Sequence, residues 1–215
     1  MNSSEINCKK IFQEAYEKRY NWPSEFNGYK GTCIFIDKDK SYEGKFSLGK
    51  DFKIKITNIE QEDIVKRISS QLFEVAIHRV KREFNSVHIQ NDFEFINESK
   101  DGILMRVIGK NEGDKYRVKD KKINMVFRHI HGVIIQIFVQ KFQNTGLGFL
   151  SQEYTSQQLD LNGNCKDSQE LKYIDKFSSL NNLGICFLES RTIEFQDSQK
   201  RKNFHKYIFK DLSDI

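Results

Sequence analysis

A chain of 215 residues, 38% apolar and 30% charged, is long enough for one well-buried domain and does not force two, so 1–215 reads as a single domain. Its 35 basic and 30 acidic residues leave a net charge of only +5. The lysines mostly alternate with acids, as in Asp37-Lys38-Asp39-Lys40, which reads as solvated turns and strand faces, and no nucleic-acid partner is expected. The polar start Met1-Asn2-Ser3-Ser4-Glu5 carries no secretory pattern, and the longest apolar run, Val133 to Val139, is too short to span a bilayer. Four scattered cysteines without a Cys-x-x-Cys pair point to a reduced, intracellular setting and away from an all-cysteine zinc site.

Along the chain, Ser4 can cap a first helix in which Ile11, Phe12, Ala15, Tyr16 and Tyr20 recur at helical spacing. Pro23 and Gly28 mark its exit, and Trp22, Phe26 and Tyr29 supply aromatic bulk next to the first strand. Three strands follow. Tyr42, Gly44, Phe46 and Leu48 alternate with Ser41, Glu43, Lys45 and Ser47, and Phe52, Ile54 and Ile56 alternate with Lys53, Lys55 and Thr57. Strict alternation means one buried and one wet face, as in an antiparallel sheet. A second helix is predicted over about Glu60 to Phe84, with Ile64, Val65, Ile68, Leu72, Val75, Ala76 and Val80 on its apolar face.

Nine further strands are predicted near Asp92–Asn97, Ile103–Ile108, Lys115–Lys119, Ile123–His131, Val133–Phe142, Phe149–Ser156, Leu171–Ser178, Ile185–Phe195 and Asn203–Lys210. Turn residues separate them, among them Asp101-Gly102, Gly132, Thr145-Gly146, Asn162-Gly163 and Asn181-Asn182. Two helices and about a dozen antiparallel strands cannot stack as alternating βα units. The expected fold is α+β: a single large curved antiparallel sheet, a half-barrel, with two amphipathic helices in its concave face. Whether that side is a cavity or a solid core is left open by the pattern.

Several segments are familiar. Ala15-Tyr16-Glu17-Lys18-Arg19-Tyr20-Asn21-Trp22, Glu74-Val75-Ala76-Ile77-His78-Arg79-Val80, Gly113-Asp114-Lys115-Tyr116, Arg128-His129-Ile130-His131-Gly132 and Thr145-Gly146-x-Gly148-Phe149 resemble a family of uncharacterised proteins from cyanobacteria and chloroplasts. The resemblance spans most of the chain, matches poorly over Asn162 to Asp167, and is generic after Arg191. It implies a photosynthetic host and a cytoplasmic or stromal location, and it brings no activity with it. The order of elements is also similar to the half-barrel of periplasmic lipoprotein carriers, an analogy that does not license function.

Three groups of residues could carry chemistry. His129 and His131, two apart in a predicted strand, would share one face and are the candidate metal ligands, although a site needs a third ligand and oriented imidazoles. His88 or His78 could complete it. Glu74, His78 and Arg82, at i, i+4 and i+8, would form one stripe of the second helix, with Glu74 orienting His78 as a base; an ordinary solvated face is the favoured alternative. His78, Arg79, Arg82 and Arg128, with Lys81 and Arg106 nearby, are the candidate anion- or ligand-binding set. Cys33 reads as core. No nucleophile motif or phosphate-binding glycine loop is present.

The expectation is therefore a non-catalytic binding or assembly protein enclosing an apolar ligand, a lipid or a pigment, or docking an acidic protein surface or a membrane face peripherally. A histidine-based or metal-dependent enzyme centred on His129 and His131 is one alternative. A solid-cored interaction module is the other.

Overall fold

The structure, a computed structural model, describes residues 6–165, 169–180 and 184–215. The expected capping residue Ser4 and the expected turn at Asn181-Asn182 lie outside them. Twelve strands form one antiparallel sheet in the order β3-β2-β1-β12-β11-β10-β9-β8-β7-β6-β5-β4, with β3 and β4 at its ends. They are β1 (Gly28–Asp37), β2 (Lys40–Gly49), β3 (Ile54–Thr57), β4 (Asn91–Ser99), β5 (Gly102–Gly109), β6 (Lys115–Lys119), β7 (Lys122–Ile130), β8 (Val133–Asn144), β9 (Phe149–Leu159), β10 (Leu171–Leu180), β11 (Ile185–Gln196) and β12 (Lys202–Asp214). The helices are α1 (Cys8–Glu17), α2 (Glu62–Ile77) and α3 (Phe84–His88). The α+β expectation of one antiparallel sheet with amphipathic helices holds. No helix among the described residues is long and apolar enough to cross a membrane.

Contacts divide the chain into two compact units, residues 1–19 with 82–172, and residues 20–81 with 173–215. In the first unit, α1 lies on β4, β6 and β7. Asn7 caps it, its side chain accepting from the Lys10 amide at 2.9 Å, so one of the helix's unpaired N–H groups is satisfied. The apolar stripe buries Phe12 against Phe93 and Tyr116, with ring centroids 4.4 and 4.5 Å away. Met105, Val107 and Val118 complete this core from the sheet.

In the second unit, α2 packs on β1 and β3 through Ile64, Ile68, Leu72 and Val75. Trp22, Phe26 and Tyr29 are buried as expected, around Phe187, and Cys33 is wholly buried in β1. Arg191 of β11 and Asp175 of β10 form a bidentate ion pair at 2.8 and 2.7 Å, each side chain only 2% exposed. The same guanidinium reaches Gln71 at 3.0 Å and Glu74 at 3.2 Å, tying α2 to the strands beneath it.

Two expectations need correction. The predicted second helix, Glu60 to Phe84, is shorter: α2 covers Glu62–Ile77, and α3 starts only at Phe84. α2 ends at Ile77 because the next carbonyls are taken from outside the helix: Arg79 O accepts from the Trp22 amide at 2.8 Å and Val80 O from the Asn21 amide group at 3.4 Å. The stripe of Glu74, His78 and Arg82 therefore does not exist. His78 is the C-terminal cap, Arg82 lies past the helix, and Glu74 pairs with Arg191.

The second correction concerns the histidines. His131 is not on the strand with His129. It has φ +49° and, with Gly132 at +80°, makes the two-residue turn between β7 and β8. Positive φ at both central positions matches the turn's twist to that of the flanking strands. The period-two argument for a shared face thus stops at Ile130.

Candidate anion-binding site

The polar cluster of the first unit grows from the loop between β5 and β6. Gly113, at φ +91°, lies close to the His129 ring, and a Cβ there would come within 3.1 Å of His129 Cε1. The next residue, Asp114, is buried and sits at the edge of β7. One of its carboxylate oxygens accepts from the His129 amide at 2.9 Å and lies 3.1 Å from His129 Nδ1, which must carry the proton to face a carboxylate. The other oxygen accepts from Arg128 Nε at 3.4 Å. His129 thus has an orienting carboxylate, Asp114, that the sequence analysis did not single out. No hydroxyl or thiol among the described residues is hydrogen-bonded to its ring.

The register of β7 and β8 sorts the neighbours by face. Val126 stands opposite Ile137, Arg128 opposite Ile135 and Ile130 opposite Val133. Val126 packs against the α1 core, so Arg128, Ile135 and Ile137 share that side of the sheet. All are half-buried.

Arg19 belongs to the same unit, just past α1. Past the end of α1, the Lys18 carbonyl accepts from the Phe149 amide at 2.8 Å, and Arg19 bridges to Phe149 of β9. Its guanidinium lies over the Tyr16 ring, 3.7 Å from the centroid, and its Nε donates to the Tyr16 carbonyl at 3.0 Å. It makes no ion pair among the described residues. Burial holds it below its ordinary pKa, and the charge of Arg82 pushes the same way while Tyr16 opposes.

Arg19 and Arg128 act on the same neighbours. His88, buried under α1 beside Phe12, Tyr16 and Phe84, is pushed down to about 4 by burial first and then by these two arginines. Burial raises the Tyr116 hydroxyl to about 12 against the opposing charges of Arg128 and Arg19. His88 Nδ1 lies 3.3 Å from the Asn91 amide nitrogen, which also donates to Asn111 at 2.9 Å.

The His88 shift has a measurable consequence. Between pH 6.5 and 4 the unfolded chain binds a proton at this position that the folded chain refuses, so folding stability falls as pH falls through that window. Urea unfolding at pH 7.5 and pH 5 should show wild type losing about 2 kcal/mol more than His88→Gln. Equal losses in both proteins would show that His88 is already charged in the folded state.

Of the residues singled out from sequence, Arg82, Arg128, His129 and His131 fall in the first unit, and His78 and Arg79 in the second. Arg128 and His129 are brought together on Asp114, and Arg82 acts electrostatically on Arg19. Among the described residues no group of three His, Cys, Asp or Glu side chains is arranged to hold a metal. Arg19 and Asp114 were missed as site residues. Arg19 was legible only as the i+3 neighbour of Tyr16, and Asp114 only as the partner of a preceding glycine.

Two solved structures are similar to the chain over most of its length. A crystal structure of MucB in complex with MucA(peri) matches at 8% identity and a TM-score of 0.21, covering 93% of this chain and 90% of that one. A complex structure of Pseudomonas aeruginosa MucA/MucB matches at 7% identity and a TM-score of 0.23, covering 93% and 91%. No curated protein matches. The profile of one family does, over residues 3–215, and the chain accordingly belongs to the family described as Protein of unknown function (DUF3386).

Proposed function

We propose that this chain is a non-catalytic binding protein and that the α1 side of its first unit takes an amphipathic anion. The acidic headgroup is held by Arg19 and Arg128, and the apolar tail lies along Ile135 and Ile137 of β8. The observation that carries this reading is Arg19: a half-buried guanidinium with no carboxylate partner among the described residues, while the nearby Asp114 is already engaged by Arg128 and His129. Removing a guanidinium from water is costly without an anion, and a bound carboxylate or phosphate ester would supply one. The half-buried branched side chains beside Arg128 suit an alkyl chain. The setting we assign is the cytoplasm, or the stroma of a plastid.

The test compares oleate with oleyl alcohol, which shares the tail and lacks the charge. Calorimetric titration should show oleate binding and the alcohol binding at least tenfold more weakly. Arg19→Gln should weaken oleate by about 10- to 100-fold, as loss of a charged hydrogen bond implies. Equal affinity for acid and alcohol would remove the anion site, and no binding of either would leave a solid-cored interaction module as the better account. Mass spectrometry of an organic extract of the native protein then identifies the physiological molecule.

A further inference from the structure

The opposite face of the same strands carries a second pattern, independent of the first. Across β5 to β9, the register lines up Arg106, Lys115, Phe127, Gln136 and Gln157 in one row, and Leu104, Arg117, Met125, Phe138 and Thr155 in the next. Lys119 stands directly opposite Lys122 at the β6–β7 hairpin, and Arg106 directly opposite Lys115. Like charges facing each other across an antiparallel pair destabilise it.

These cations are not neutralised by a matching set of acids. Arg106 pairs with Glu94, and Arg117 lies 4.0 Å from Asp101 while donating to Asn124 at 3.0 Å. Lys115, Lys119 and Lys122 have no carboxylate partner among the described residues. Lys119 donates to the Lys100 carbonyl at 2.7 Å. The others rest over rings: Lys115 lies 5.2 Å from the centre of Phe127, and Lys122 lies 5.2 Å from Phe149 and 5.9 Å from Phe142. Arg117 lies 5.8 Å from Phe138.

We propose that this face binds single-stranded nucleic acid, with phosphates on Lys115, Arg117, Lys119 and Lys122 and bases stacked on Phe127 and Phe138. Interleaved cations and aromatic rings on a sheet are the arrangement such binding needs, because every base has a face to stack and every nucleotide a phosphate to neutralise. A polyanion also relieves the two facing like-charge pairs. A bilayer is the poorer occupant, since these rings are half-buried within the sheet face and do not protrude as an inserting side chain must. The one-dimensional alternation of lysines with acids hid this face; strand register gathers the cations.

Fluorescence anisotropy with a labelled 16-nucleotide oligothymidylate tests it. The oligonucleotide should bind at 50 mM salt, with log affinity falling linearly in log salt. Lys115→Gln/Lys122→Gln should weaken binding at least tenfold and reduce the salt slope by about 1.4, two phosphate contacts at ~0.7 each. Phe138→Leu and Phe127→Leu should each weaken it about 5- to 100-fold, the range of a lost base stack, and leave the slope unchanged. Lys9→Gln/Lys10→Gln, an equal charge loss on α1, should change affinity less than twofold. No binding at 50 mM salt overturns the proposal, as does an equal loss in the α1 variant. Poly-L-glutamate or phosphatidylserine vesicles binding as tightly as the oligonucleotide also overturns it, in favour of an acidic protein or a membrane.

Discussion

Asp175→Ala should cost about 3–5 kcal/mol of folding free energy, the largest single-residue loss expected in the second unit. The reason is the geometry around Arg191. Its side chain is 2% exposed and donates two short bonds to Asp175, so truncating the acid leaves a cation in a low-dielectric interior. Glu74 and Gln71 remain, but Glu74 is 40% exposed and screened by water, and an amide cannot neutralise charge. Glu74→Gln should accordingly cost less than about 1 kcal/mol. The double change Asp175→Leu/Arg191→Met should recover most of the loss, because apolar residues of similar volume often replace a buried pair without net cost. Urea unfolding of the four proteins measures this directly. If the double variant is as unstable as Asp175→Ala, the pair contributes through packing, not charge.

Phe12→Ala should be comparably severe in the first unit, at about 3–5 kcal/mol. Phe12 is 1% exposed and is the hub of the aromatic cluster, stacked on Phe93, tilted against Tyr116 and edge-on to His88. The methylenes and ring lost on truncation cannot be replaced, since the surrounding rings are themselves held by the sheet and by α3. Phe12→Leu keeps most of the volume and should cost about 1–2 kcal/mol. Amide exchange is the sharper readout. Protection should fall in β4, β5 and β6, which Phe93, Met105 and Tyr116 tie to this cluster. Unchanged protection in these strands with a lowered melting temperature would move the hub elsewhere.

Much of this fold was legible because strand alternation and turn residues are local signals. Phe46 and Leu48 are buried and Lys45 exposed, as their period predicts. The errors fell where a local pattern was overridden from a distance. Nothing in residues 78–84 tells that Trp22 and Asn21 will claim the carbonyls of Arg79 and Val80 and so stop the helix. Gly132 was readable as a turn, yet the type I′ turn formed here has two positive φ values, and the other fell on His131, a residue that also reads as strand. The candidate anion site was half legible. Arg128 and Arg82 stood out as arginines near histidines, but Arg19 acquires meaning only when the chain beyond α1 is pinned to Phe149. Likewise, the cationic face is a property of strand register, which single-chain periodicity does not contain.

Neither unit is a contiguous stretch of sequence, and this bears on how the chain is made. β1 takes β2 on one side within a few residues, but its other neighbour is β12, whose Phe209 stands opposite Cys33. A ribosome adding about 5–20 residues per second needs about 7–30 s to travel from the end of β3 at Thr57 to the start of β12 at Lys202. Throughout that interval the β1–β3 meander waits with an unsatisfied edge bearing Phe35 and Ile34, while the strands that follow assemble among themselves. Synthesis of this protein is therefore exposed to capture by other strands during a fixed delay. Slowing translation over residues 58–201 should raise the fraction that aggregates, and a holdase that shields extended apolar segments should lower it.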